Sequence, residues 1–356
     1  MAIINPGLRV VRRDATTLQL GIGPGGVLVE GLSAADTDFI AALRAGIPDD
    51  GVLAAAARLG LPAERAQELC DTLSPMLFTD QQTRVSGFRG ERLLPERLAL
   101  AALHHRPSPD LMARRERAVV RVIGLGRTGA ALVLALVSAG VGTVLLEDDR
   151  LVGAADVSPG AYRLADIGMV RSAAARRHLL SVDPGCHPHA VHTDDRGGPD
   201  FKRLDLAVLV GHDAVGAAAG ARLMGSERPH LYVLLREQDG MVGPLVVPGA
   251  TACADCVERH RGSGDPQWFT VCEQLVTGSA GSQPETAALA TALAGTAAAQ
   301  ALLFLDGVNQ PSTWSAVMTL HGSDGRWSRQ EFGPHPDCGC QFQRQALATI
   351  SSTASP

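Results

Sequence analysis

Along the first eighty positions, apolar residues fall into two alternating triplets followed by three stretches of helical spacing. Leu18-Gln19-Leu20 and Val27-Leu28-Val29 flank Gly23-Pro24-Gly25-Gly26, which predicts a hairpin. Ser33 caps an apolar-periodic run (Phe39, Ile40, Leu43) that stops at Gly46-Ile47-Pro48. A second helical pattern passes through Val52, Leu53 and Leu59 to Gly60, and Pro62 opens a third with Ala66, Leu69 and Leu73. A hairpin with three short helices has the outline of a winged helix, a small α+β domain over residues 1–80. The third helix sets Arg65 against Glu64, Glu68 and Asp71, so a peptide-binding role fits this unit better than DNA reading.

Residues 81–117 form a proline-punctuated connector with Arg84, Arg89, Arg92, Arg97, Arg106, Arg114, Arg115 and Arg117. It reads either as a solvated helix and loop or as a basic strip that meets an acidic ligand. From Ala118 the pattern changes to short buried runs alternating with helices. Val119-Val120-Arg121-Val122-Ile123 is a strand of the parallel-sheet kind. Gly124-Leu125-Gly126-Arg127-Thr128-Gly129 follows, then a helix over Ala130–Ala139, a break at Gly140-Val141-Gly142, and the strand Thr143-Val144-Leu145-Leu146 ending on Glu147-Asp148-Asp149. Further elements are a helix over Ile167–Leu180, a strand over Asp205–Val210 running out at Gly211-His212-Asp213, a strand over Leu231–Leu235, and a short strand over Val242–Val247 of different orientation. This alternation predicts a doubly wound α/β sheet over residues 118–345, with a disordered tail at 346–356. Ala287–Leu305 reads as a buried helix rather than a membrane span, because Thr291 and Gln300 interrupt it.

Length, at roughly 150 residues per domain, agrees with two domains for 356 residues. With 32 basic and 37 acidic residues the net charge is −5, which argues against nucleic acid as a partner. Seven cysteines without a secretory signal point to reduced thiols in a cytoplasmic protein.

The glycine turn has a specific physical reading. Gly124 permits the tight turn, Gly126 lets backbone approach a phosphate, and Gly129 allows close helix–strand packing. The helix N-terminus offers N–H groups to an anion, and the acid at the next strand end, Asp149 with Asp148 beside it, accepts from a ribose. The same glycines can serve packing alone. Cys253-Ala254-Asp255-Cys256 and Cys338-Gly339-Cys340 form two close pairs able to aim four sulfurs at one structural Zn²⁺ that clamps the C-terminal region; redox thiols and unligated cysteines are the alternatives. Cys272 is a candidate acceptor thiol, with Glu273 beside it working against reactivity.

Taken together, these features resemble the ThiF-type, ubiquitin-activating-enzyme-like superfamily over residues 95–340. The resemblance implies a Rossmann-like fold, MgATP-dependent adenylation of a C-terminal carboxylate, homodimers, and zinc on Cys253, Cys256, Cys338 and Cys340. It further implies a phosphate turn at Gly124, Gly126 and Gly129, a ribose-binding acid at Asp149 (or Asp148), and a magnesium-holding Asp213. The sequence also departs from that family. Ala155-Asp156-Val157-Ser158-Pro159-Gly160 puts an acid where the family has an amide and a proline where it has an arginine. Arg171 replaces a lysine, and Asp213 runs into Ala214-Val215-Gly216. With Pro6-Gly7-Leu8-Arg9, Leu18-Gln19-Leu20-Gly21, Val157-Ser158-Pro159-Gly160 and His335-Pro336-Asp337-Cys338-Gly339-Cys340, the chain is most similar to the ThiF-like partner proteins of azoline peptide biosynthesis, in which an N-terminal segment grips a leader peptide.

Three functions follow as expectations. One is a degenerate, non-catalytic adaptor that presents a precursor peptide or small protein to a partner modification enzyme. Another is an active adenylyltransferase with Asp213 and Arg171 at its centre. The third, a nicotinamide-linked oxidoreductase, leaves the cysteine pairs unexplained.

Overall fold

A computed structural model describes residues 2–78, 87–105, 107–192, 203–213, 217–277 and 284–341. Arg84, Arg106, the turn after Asp213 and the tail expected at 346–356 lie outside the described residues. The chain forms two compact units, residues 1–113 and 114–356.

The first unit contains β1 (Ile3–Ile4), β2 (Val10–Arg12), β3 (Leu18–Leu20), β4 (Val27–Val29), α1 (Ala34–Ala45), α2 (Val52–Arg58), α3 (Ala63–Leu73), β5 (Leu77–Phe78), α4 (Gly87–Arg92) and α5 (Leu94–His104). The hairpin of β3 and β4 is antiparallel, with Leu18 opposite Val29 and Leu20 opposite Val27, and β2 extends it to three strands. Its core joins Leu18, Leu20 and Val29 to Phe39, Ile40 and Leu43 of α1 and to Leu69 and Leu73 of α3. The described part of the segment read as a connector is largely helical, and α5 packs on the N-terminal segment. Asn5 donates to the Ala101 carbonyl at 2.8 Å, and a Cβ on Gly7 would meet the Leu98 carbonyl at 2.2 Å.

α6 (Pro109–Arg117) carries the boundary into the second unit. There follow β6 (Val119–Ile123), α7 (Arg127–Ser138), β7 (Thr143–Glu147), α8 (Arg171–Val182), β8 (His187–Ala190), β9 (Leu206–His212), α9 (Ala217–Gly225), β10 (His230–Arg236), β11 (Asp239–Val246), α10 (Ala254–Gly262), α11 (Trp268–Thr277), α12 (Ala287–Asp306), β12 (Ala316–Leu320) and β13 (Trp327–Glu331). They build an eight-stranded sheet in the order β13-β12-β11-β10-β9-β6-β7-β8. β10, β9, β6, β7 and β8 are mutually parallel, and β11, β12 and β13 add antiparallel strands.

Strand alternation explains the two covered faces. Val120, Val122, Val144, Leu146, Leu206 and Val208 face α7, α8 and α12, whereas Val119, Leu145, Ala207, Leu209 and Tyr232 face the side of α9 and α10. α12 is long and apolar enough to cross a membrane by length and composition, and here it packs against α7 and the sheet, burying Leu293, Ala297 and Ala301. The chain leaves β6 outward through β7 and β8, then returns to β9 on the other side. That reversal opens a crevice at the strand C-termini between β6 and β9, where ligands of doubly wound sheets bind.

The helix expected from Ile167 begins four residues later, at Arg171. Asp166 instead ends a single 3-10 turn over Leu164–Asp166 and accepts from the Arg163 N–H at 2.6 Å. β12 and β13 carry no sequence expectation, although Ser323-Asp324-Gly325 is a legible turn between them.

Candidate functional site

The glycine turn joins β6 to α7 at the crevice. Gly124 has φ +90°, and its N–H bonds the Glu147 carbonyl at 2.9 Å. A Cβ there would come within 2.1 Å of the Val210 carbonyl, so β9 leaves room for hydrogen only. A Cβ on Gly129 would meet the Gly124 carbonyl at 2.0 Å. Gly126, the residue before the helix, is different: its nearest neighbour would be a Glu285 oxygen at 3.9 Å. Two of the three glycines are therefore required by the fold, and the third lies open to what approaches the turn.

What approaches it is the protein's own carboxylate. Glu285, just ahead of α12, accepts from the Thr128 backbone N–H at 3.0 Å and from the Thr128 hydroxyl at 2.6 Å. These are N-terminal donors of α7, where a helix presents unpaired N–H groups and partial positive charge. Arg127 donates to the Glu285 backbone carbonyl at 2.8 Å, and His212 Nε2 stands 3.4 Å from the Glu285 carboxylate. Burial alone would raise the Glu285 carboxyl. The nearby His212 ring and the bonds from Thr128 outweigh it and hold the group below its usual range, so it sits there as an anion.

The three acids after β7 have three fates. Glu147 pairs with Arg121 of β6. Asp148 turns inward, accepting from the Leu125 N–H at 2.9 Å and from Arg150 and Arg171. Asp149 points outward, half-exposed, with His192 at 2.7 Å. Of the two expected ribose acids, Asp148 is the one brought to the glycine turn.

Arg171, at the start of α8, is held from both sides. Its guanidinium reaches Asp156 Oδ1 at 2.6 Å and Oδ2 at 2.8 Å, and Asp148 at 3.1 Å. Asp156 is buried, and it also accepts from the Gly153 N–H at 2.9 Å. Tyr162 closes the group by donating to the Leu125 carbonyl at 2.7 Å. Asp213 follows the last residue of β9 with φ +58°; its N–H bonds the Leu235 carbonyl, and its own carbonyl accepts from Arg236.

On the other face, the four expected cysteines converge. Their sulfurs all lie within 4.8 Å of one another, with separations of 3.7 Å for Cys253–Cys256, 3.5 Å for Cys253–Cys338 and 3.4 Å for Cys256–Cys340. A tetrahedron of metal–sulfur bonds of about 2.3 Å has edges of roughly 3.8 Å, so the set fits one metal ion. The His335 N–H points at the Cys256 sulfur at 3.3 Å, a bond that suits a thiolate. Cys272 is elsewhere, half-buried on α11, where burial and then Glu258 push its thiol up. The group working against its reactivity is thus Glu258, at 3.7 Å, from an element fourteen positions earlier.

Glu285 and Tyr162 carried no sequence expectation, and His212 was legible only as part of the strand end Gly211-His212-Asp213. Glu285 bonds a residue 157 positions away, and no local pattern signals such a contact.

The ThiF family model matches residues 101–341. Among solved structures, the fold is similar to that of E. coli MccB with AMPCPP and selenomethionine-labelled MccA, at TM-score 0.72 and 15% identity over 96% of this chain and 99% of that one. The microcin C7 biosynthetic enzyme MccB in complex with N-formylated MccA matches at TM-score 0.71 and 14% identity, with the same coverage. PaaA matches at TM-score 0.65 and 17% identity over 92% of this chain and 99% of that one. No curated protein sequence matches.

Proposed function

Because this chain belongs to the ThiF family, we propose that it is a non-catalytic adaptor of that fold, holding a precursor peptide or small protein for a partner enzyme. In this reading residues 1–80 bind the polypeptide, 81–117 connect, and 118–345 form a ThiF-type domain that no longer seats ATP. The observation that carries it is Glu285, whose carboxylate takes the Thr128 N–H at the helix end where a nucleotide phosphate would go. Asp156 supports it from the other side. The family's amide position holds an acid, and Arg171, which would otherwise face a triphosphate, is engaged by Asp156 and Asp148. A triphosphate entering here would meet three carboxylates in a site of low dielectric.

MccB supports a polypeptide as the ligand class, since N-formylated and selenomethionine-labelled MccA is a methionine-bearing chain. The three-stranded sheet of the first unit ends on β4, which has no outer partner strand among the described residues and keeps Leu28 exposed. Such an edge can accept an extended peptide as an added strand. The four cysteines are assigned to a structural Zn²⁺, and the chain to a cytoplasmic homodimer.

The second reading is an active MgATP-dependent adenylyltransferase, with Gly124, Gly126, Gly129 and Asp148 or Asp149 around the nucleotide and Asp213 on magnesium. It is favoured by the intact glycine turn and by the ATP complex of MccB at 15% identity. Calorimetric titration of the full chain with ATP and magnesium decides between them. The adaptor is expected to give no saturable heat, and Glu285→Ala to admit the nucleotide weakly. Saturable binding by the unaltered chain, abolished by Gly126→Val and accompanied by pyrophosphate release with a bound polypeptide, would establish the enzyme instead.

A further inference from the structure

Between the sheet and the helices α9, α10 and α11 lies a cavity of about 420 Å³, on the face opposite α7 and α12. That size is in the range of small-molecule sites. Its walls are largely apolar, with Met224, Leu234, Met241, Val257 and Phe269 among them. Its polar lining comprises His230 and Tyr232 at one level of the sheet, Arg236, Glu258 and Arg261 at another, and Cys253, Cys272 and Asp255 beside them, the Asp255 carboxylate being paired with Arg259.

At one level is His230, the first residue of β10 and 0% exposed. Its Nδ1 lies 2.8 Å from the Arg228 carbonyl. A carbonyl only accepts, so Nδ1 carries the proton and donates, which leaves Nε2 as a bare acceptor. Nε2 is buried and has no hydrogen-bond partner among the described residues. Burial lowers the tendency of this ring to take a second proton, which preserves the acceptor. Tyr232, the next residue on this face, meets the ring edge-on at 5.4 Å.

Toward the other end of β10 are Arg236 and Arg261, with Glu258 between them. Both guanidinium groups bond the same Glu258 oxygen, at 3.3 Å and 3.0 Å. The Trp268 N–H and the Cys272 thiol also point at that carboxylate, at 2.7 Å and 3.7 Å. Two cations on one heavily used anion leave a surplus positive charge. Among the described residues, the second arm of Arg261 donates to the Met241 thioether at 3.7 Å, a weak acceptor, and the guanidinium lies 5.9 Å from the centre of the Phe332 ring. Met241 is opposite Leu234, four residues along β10 from His230. At about 3.3 Å per residue, four steps set the two backbone levels of β10 roughly 13 Å apart, so the bare acceptor and the under-used cation belong to different ends of the cavity.

We infer that this cavity binds a small carboxylic acid with a rod-shaped apolar body and a hydroxyl or N–H donor at the end remote from the carboxylate. The carboxylate meets Arg261 with Arg236 behind it, and the donor meets His230 Nε2. The site is independent of the glycine turn, and it stands whether or not the chain adenylates anything.

The test is calorimetry on the full chain with 4′-hydroxybiphenyl-4-carboxylate, which carries both groups on a rigid apolar rod. Biphenyl-4-carboxylate lacks the donor, and 4-hydroxybiphenyl lacks the anion. Saturable binding of the first is expected, with each deletion weakening it by about tenfold or more. In His230→Phe the preference for the hydroxylated acid over biphenyl-4-carboxylate should vanish, and in Arg261→Gln the preference over 4-hydroxybiphenyl should vanish. No saturation at millimolar ligand, or equal affinity for all three compounds, overturns the assignment using the unaltered protein alone. Preferences that persist unchanged in both variants overturn it as well.

Discussion

Three glycines of one turn have three different neighbours, so the same substitution should have different effects at each. At Gly124 and Gly129 an added Cβ would strike a backbone carbonyl at 2.1 Å and 2.0 Å, and neither carbonyl can move without shifting a strand or the turn. Gly124→Ala and Gly129→Ala are therefore expected to lower the unfolding free energy strongly, by more than about 2 kcal/mol, through backbone strain. Gly126→Ala should stay within about 1 kcal/mol, since its Cβ would find ordinary contact distance. Chemical denaturation of the three variants checks the order. The acid beside the turn yields a pH prediction. Burial by itself raises the Asp148 carboxyl, but Arg150, the Leu125 N–H and the charge of Arg171 outweigh it and hold the group below its usual range. A carboxyl depressed in the folded state adds stability above its unfolded value of about 3.9, and that contribution is lost as pH falls through the folded value. Asp148→Asn should accordingly be less stable at neutral pH and lose stability less steeply below about pH 4, as followed by thermal melts across acid pH.

At the scale of elements, two helices show different ways of being fixed. α1 is held by its end. The Ser33 hydroxyl accepts from the Asp36 N–H, and the Asp36 carboxylate accepts from the Ser33 N–H at 2.7 Å, with Arg65 of α3 bonding the same carboxylate. Ser33→Ala should cost about 1 kcal/mol, measured by denaturation. α6 is held by a buried ion pair from its last turn. Arg115 forms a two-pronged pair with Asp306 at the end of α12, at 2.8 Å and 2.7 Å, with both side chains almost wholly buried. One arginine of the expected basic strip is thus structural, and it donates to the Ala139 carbonyl after α7 as well. Asp306→Ala strands the guanidinium in the interior and should cost about 3–5 kcal/mol, whereas the paired change Arg115→Met with Asp306→Leu should recover much of that loss. A double-mutant cycle separates the two outcomes.

For the whole molecule, the four-cysteine cluster brings the start of α10 together with the chain after β13. Burial pushes the Cys253 thiol up to about 12, so gathering four sulfurs without a metal is unfavourable and binding one must displace protons. Protein purified without added metal is expected to contain one zinc per chain by elemental analysis. A chelator should lower the melting temperature of the unaltered chain and leave Cys338→Ala unchanged, because that variant has already lost the clamp. Equal chelator sensitivity of both proteins would remove the cluster from the account of stability.

The sequence alone carried whatever depends on neighbours a few positions apart. The short β-branched run Val119–Ile123, the glycines that follow it and the acidic strand end identify a strand, a turn and a helix, because backbone preference and the run length of apolar residues are local properties. The two cysteine pairs were legible for the same reason, as each pair is held on a single turn. Residues that meet only through the sheet order were not legible. Glu285 on Thr128, Asp156 and Asp148 around Arg171, and Glu258 beside Cys272 are contacts between separate elements. The alternating pattern names the strands but not the order in which they lie. That order brings the approach to α12 against the N-terminus of α7, and so places a carboxylate of the chain itself where the sequence led one to expect a phosphate. Local chemistry determined the frame of this site, and tertiary packing decided what fills it, because a helix end binds whichever anion the fold holds nearest.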